Sequence, residues 1–126
     1  MIMAAPMSVF LCTGMDADRM VAEIERILCV KLLRVDDGDR TWWEHHGVGY
    51  RMSVVKDHGL VDDLGIPFSR YDDQIDFVVV MNGARPEDAQ NLKHWLATYA
   101  FGKLTAALGC KAMLVYDLQE IIEQTG

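Results

Sequence analysis

Cysteine is scarce in this chain and poorly spaced for chemistry. Three occur in 126 residues, Cys12, Cys29 and Cys110, an odd number with no Cys-x-x-Cys pair. No disulfide framework or zinc-ribbon spacing can be read from them. Each sits in an apolar stretch, where a buried, reduced thiol of a cytoplasmic protein is the expectation. Basic residues are short as well, 12 Lys and Arg against 19 Asp and Glu, for a formal charge of −7. A phosphate-backbone binder needs clustered Lys and Arg, so direct nucleic-acid binding is not expected. Docking on an anionic membrane surface is disfavoured for the same reason.

Long apolar runs are missing too. Residues 1–15 carry no charged side chain, but no Lys or Arg precedes them and Pro6 interrupts them. At about 15 residues the stretch is short of the ~20 that span a bilayer. Its second half reads as a buried strand, and no targeting segment or membrane span is expected. There is no internal repeat or low-complexity tract. The length fits one domain over residues 1–126, and with 51% apolar residues the chain can bury a core.

Catalytic signatures are lacking. No HExxH, HxH or spaced Cys/His pair occurs, and neither does GxSxG. Gly47 and Gly49 in "HHGVGYR" lack the further residues of a dinucleotide or P-loop motif and mark a strand break instead. "DHGLVDDLGIPF" has apolar residues where a calcium loop needs oxygens, and it ends without Glu. His45 and His46 are strand neighbours on opposite faces, so at most one can join His58. The reading is no enzyme, no metal and no cofactor.

What is present is concentrated acid. Residues 36–76 hold ten acids and four bases, or −6, and the rest of the chain holds nine and eight, or −1. Within that third lies "KDHGLVDDLGIPFSRYDDQID", residues 56–76, too polar and too punctuated by Gly59, Gly65 and Pro67 for one helix or strand. Loops beyond ~12 residues are uncommon unless functional or disordered. Such a concentration of charge also costs self-repulsion that folding alone does not require.

The spacing predicts strands over residues 8–13, 32–36, 41–46, 50–56, 75–81 and 111–116. Thr13 and Asp16 resemble a capping box for a helix reaching about residue 30, with its stripe on Met20, Val21, Ile24, Ile27 and Leu28. "DDGD" (36–39) is a turn, and so is the start of "NGARPED" (82–88). A second helix runs from Pro86 to about residue 108, with Leu92, Trp95, Leu96, Tyr99 and Leu104 as its apolar face and Gly109 as its stop. A short helix is expected at 118–124. The fold class is α+β: a single mixed or antiparallel sheet of about five strands with two long helices packed on one face. The expected order is β-α-β-β-β-α-β-α, one strand fewer between the long helices than the runs above.

A small acidic α+β chain without catalytic motifs resembles the immunity proteins of bacterial contact-dependent growth inhibition systems. "DHGLVDDLGIPFSRYDDQIDF", the long helix after it and the strand end "LVYDLQ" carry the resemblance. It implies a cytoplasmic inhibitor whose partner is a cognate basic protein toxin, a nuclease domain by analogy. Carboxylates would then occupy phosphate positions and block the toxin's cleft. Asp36, Asp37, Asp39, Glu44, Asp57, Asp62, Asp63, Asp72, Asp73 and Asp76 are the candidate contacts, and Trp43 and Tyr71 the candidate anchors. Two other readings stand beside it. One is a small metal-dependent hydrolase using Asp57, His58 and His45 or His46. The other is a homodimeric adaptor that pairs through an apolar surface.

Overall fold

Strand β1, Met7–Cys12, is buried along almost its whole length, because both faces of the sheet are covered where it lies. The computed structural model describes residues 7–80, 83 and 85–125. Pro6, Met81, Asn82 and Ala84, which figure in the expected strands and turns, lie outside the described residues. Met7, Val9 and Leu11 point into one core, while Phe10 points into a second on the other side. Period-two alternation thus puts apolar residues on both faces of β1, which is why its sequence reads as an unbroken apolar run.

Helix α1, Ala17–Leu28, buries Met20, Val21 and Ile24 as its stripe implies. Its N-cap is Asp16, whose carboxylate accepts the Arg19 N–H at 2.9 Å. Thr13 does not cap it as expected: its hydroxyl donates to Asp73 at 2.7 Å. Cys29 closes the helix in the left-handed conformation and is exposed, against the expectation of buried thiols, while Cys12 and Cys110 are half-buried.

Four strands separate the helices, matching the four strand runs and exceeding the expected order by one: β2 (Leu33–Asp36), β3 (Thr41–His46), β4 (Tyr50–Lys56) and β5 (Asp73–Val79). Helix α2 spans Pro86–Leu108, with proline in the first turn and Gly109 as C-cap, as expected. Strand β6, Lys111–Tyr116, follows, and then β7, Glu120–Thr125, where a short helix was expected. The reason is the turn between them. Asp117 and Leu118 both take positive φ, and the Gln119 N–H returns to the Tyr116 carbonyl at 2.9 Å. That tight turn, with Tyr116 paired to Glu120 across three intervening residues, lays the chain against β6 instead of starting a helical turn.

Among the described residues the sheet has seven strands in the order β2-β3-β4-β5-β1-β6-β7, with every pair antiparallel. Both helices lie on one face. Leu96, Ala97, Ala100, Phe101 and Leu104 of α2 join the α1 stripe over Val9, Met52, Val54, Ile75 and Leu114. This stripe runs beside the one expected for α2. Trp95 and Tyr99 are 60% and 45% exposed, and their place toward the sheet is taken by small alanines that let helix and sheet approach.

The long acidic segment covers the second face. Residues 57–72 form a loop whose ends are tied by the Asp57 N–H to the Asp72 carbonyl at 2.8 Å. Closed ends and inward side chains make it an Ω-loop. Ile66, Phe68 and Tyr71 pack on Phe10, Met113 and Val115. His58 organises its interior: Nδ1 accepts from the Leu60 N–H at 2.9 Å, Nε2 donates to the Tyr71 carbonyl at 2.6 Å, and the ring meets Phe10 edge-on at 5.3 Å.

Tyr71, 1% exposed, is the largest side chain in this second core. Tyr71→Ala is expected to cost about 3–5 kcal/mol in urea unfolding. Tyr71→Phe, which loses one 3.3 Å hydrogen bond from Gln124, should stay within about 1 kcal/mol of the parent. Equal losses in the two variants would show that the hydroxyl, not the ring, holds the loop.

Candidate partner-binding surface

The candidate carboxylates separate into four environments. Asp36, Asp37 and Asp39 sit exposed on the β2–β3 turn. Asp37 uses one oxygen to accept the N–H groups of Asp39 and Arg40, at 3.2 and 2.9 Å, which holds the turn. Asp36 accepts the Thr41 hydroxyl and faces Arg34 at 3.2 Å. The Asp39 carboxylate has no partner among the described residues.

Asp57 is exposed at the end of β4, in left-handed backbone with φ 57°. With Asp39, Arg40, Thr41, Trp43, Lys56 and Ala17 it lines a groove of about 320 Å³. Antiparallel pairing creates this meeting point, because β2 ends, β3 begins and β4 ends at the same edge of the sheet. The start of α1 arrives there too and brings Asp16 and Asp18, both exposed. Those two lie outside the acidic third of the sequence, and only the topology reveals them. Of the six exposed carboxylates on these elements (Asp16, Asp18, Asp36, Asp37, Asp39, Asp57), Asp39 and Asp57 line the groove beside Arg40 and Lys56, and the other four sit on the adjoining turn and helix start. Counted with Arg19, Arg34 and Arg40 they leave this end of the sheet an excess of three negative charges. Lys56 does not offset it, being committed to Asp73.

Asp62 and Asp63 are exposed on the outer Ω-loop, away from this groove. Asp62 accepts the Ser69 N–H at 2.8 Å; hydrogen bonds from the Ser69 side chain and then its backbone hold its carboxyl below the usual range. Asp63 and Ile66 pair in a two-residue turn with Leu64 and Gly65 at positive φ.

The third group turns inward. Asp73 is 0% exposed, bound by Lys56 Nζ at 3.1 Å and by the Thr13 hydroxyl. Asp76 is half-buried, accepting from Ser8 and from Gln74 Nε2 at 3.1 Å. Asp72 is half-buried at the foot of the loop. Asp73 and Asp76 are therefore withdrawn as surface contacts, since reaching a partner would strip each of its hydrogen bonds inside the fold. Glu44 stands apart on β3, half-buried. The indole N–H of Trp42 at 2.8 Å, then His46 at 2.9 Å, hold its carboxyl below the usual range.

The anchors change as well. Tyr71 is buried in the second core and cannot serve as an exposed anchor. Trp43 packs on the helix-side core and shows only part of its ring to the groove. Trp42 points to the opposite face, as strand alternation requires. Asp57 and His58, which a hydrolase would use together, diverge: the aspartate faces solvent and both ring nitrogens of His58 are engaged inside the loop. Among the described residues no group of three or more His, Cys, Asp or Glu is placed to hold a metal ion. Nor is any helix among them long and apolar enough to cross a membrane.

The family models, curated proteins and solved structures compared with the chain include no match to it.

Burial, the largest influence on Asp76, pushes its carboxyl above the usual range; the bonds from Ser8 and Gln74 oppose it, as do more weakly the charges of Lys93 and His58. A group raised in the folded state contributes fully below its unfolded pKa, and that contribution is lost as pH rises through the folded pKa. Asp76→Asn, which cannot ionise, should therefore gain stability relative to the parent between about pH 3 and about pH 7, read from urea midpoints. A deficit that grows with pH would mean that hydrogen bonding outweighs burial at this site.

Proposed function

We propose that this chain is a cytoplasmic, non-catalytic inhibitor that binds a basic protein partner at the acidic end of its sheet. The convergence of four separate elements on one groove, with six exposed carboxylates in it and beside it, carries this reading. Such a cluster repels itself in the free protein, and a cationic partner relieves the repulsion on docking. Carboxylates around the partly covered ring of Trp43 supply steering and register, and the ring supplies contact area. By the resemblance to the immunity proteins of contact-dependent growth inhibition systems, the chain would act in this way against a secreted toxin. A basic nuclease domain is the partner class that best matches carboxylates standing where phosphates would lie. The contact set for this proposal is Asp16, Asp18, Asp36, Asp37, Asp39, Asp57 and Trp43, with Asp62, Asp63 and Glu44 outside the groove.

The test is titration with the protein domain encoded beside this chain's gene, at low and high salt. Association should slow about tenfold or more between roughly 50 and 500 mM salt. A triple variant, Asp18→Lys, Asp39→Lys and Asp57→Asn, should slow it about as much at low salt while leaving the unfolding midpoint nearly unchanged. Asparagine is chosen at position 57 because it tolerates left-handed backbone. Glu120→Lys with Glu123→Lys serves as the control, changing net charge on β7 only. Parent-like binding by the triple variant, or an equal loss in the control, would remove the groove as the interface.

A further inference from the structure

Helix α2 carries two large aromatic rings outside its core stripe. Trp95 and Tyr99, one helical turn apart, stack with ring centroids 5.5 Å apart and planes within 10° of parallel. Lys103, one turn further, places Nζ 5.9 Å from the centre of the Tyr99 ring. Beside this ladder a cleft of about 300 Å³ opens between the helices, lined by Leu28 at the end of α1 and Val30 just after it, by Trp95, Leu96, Tyr99 and Ala100 of α2, and by Tyr50, Met52 and Phe77 of the sheet. Small Ala100 leaves the room. Tyr50 can form the wall because Gly47 has no Cβ, which would collide with the tyrosine ring.

We infer that this cleft is a binding site for a small planar aromatic molecule carrying a negative charge. The lining is apolar and aromatic, and none of its nine residues is charged. The charged side chain set against a lining ring is cationic, Lys103 over Tyr99. Histidine lies against another lining ring, with His45 and Tyr50 centroids 5.8 Å apart. The volume is at the small end of ligand cavities and holds one fused ring system. A docked helix needs anchors spread over several turns, and the exposed rings here span only one. A second copy needs about 800 Å² per partner. Of the other exposed large apolar residues, Val48, Val78 and Val80 lie near one end of β4 and β5 and lack an aromatic ring, and Leu33, Val61, Leu64 and Ile122 are on other strands and loops. The inference is independent of the acidic groove.

The experiment is fluorescence titration of the folded chain with 8-anilinonaphthalene-1-sulfonate, an anionic aromatic probe, and with its uncharged relative N-phenyl-1-naphthylamine. The sulfonate should bind one saturable site with Kd on the order of tens of micromolar. Trp95→Ala and Tyr99→Ala should each raise that Kd about tenfold, and Ala100→Leu should abolish binding by filling the cleft. Should Ala100→Leu fail to fold, the two exposed-ring variants carry the test alone. Lys103→Gln should weaken the sulfonate several-fold and leave the uncharged probe unchanged. Absence of saturable binding, or binding indifferent to both ring variants, overturns the inference. Indifference of the sulfonate to Lys103→Gln overturns the choice of an anion. A sedimentation dimer lost in Trp95→Ala overturns it in favour of a second copy.

Discussion

Much of this structure hangs on a buried charge. Asp73 opens β5 with no exposure to solvent and is held by Lys56 at the end of β4 and by Thr13 just beyond β1. Strands β4, β5 and β1 are neighbours in the sheet, so one carboxylate ties the ends of three adjacent strands and the foot of the Ω-loop. A buried pair of this kind is poor evidence for net stability, but losing one partner is costly because the other is left charged and dry. The pair therefore acts as a register pin. It also removes Lys56 as a counter-charge to the nearby carboxylates, so this end of the sheet keeps its excess of acid because of an interaction beneath it.

The acidic segment has a double character. Its polar composition suggests a solvated tract, yet Ile66, Phe68 and Tyr71 make it the lid of a second core. Buried and exposed positions alternate irregularly along it, with apolar anchors turned inward and Asp57, Asp62 and Asp63 outward. Asp62 and Asp63 are thus carried on a loop with fixed footing, apart from the groove, and only Asp57 at its start belongs to both.

Local pattern announced a good part of the fold. The α1 stripe, the Asp-Asp-Gly-Asp turn, strands β3 and β4, and the proline start and glycine stop of α2 follow from residues within one or two turns of each other. Features that depend on distant partners did not. Thr13 looked like the cap of α1 by sequence, but Asp16 takes that place, and the Thr13 hydroxyl accepts the Met15 N–H and donates to Asp73, sixty residues away. Strand β7 was hidden because Asp117 and Leu118 are not the glycine-rich pair that marks a tight hairpin, and pairing with β6 imposed the turn on them. The same holds for the carboxylates: from sequence, Asp73 and Asp76 look no different from Asp57, and only their neighbours in space separate interior from surface. Asp16 and Asp18 were missed for the opposite reason, a surface assembled from segments far apart in the chain.

The position of β1 has a consequence for how the chain reaches this state. It precedes all its strand partners, yet it lies in the middle of the sheet, with Ser8 opposite Asp76 on one side and Val115 on the other. Ladders with such sequence separation close late and slowly. During synthesis β1 must wait, with both faces apolar and both edges unpaired, until most of the chain has emerged. Folding is therefore gated by the arrival of β6, and the interval before it is when the chain is most exposed to misassociation.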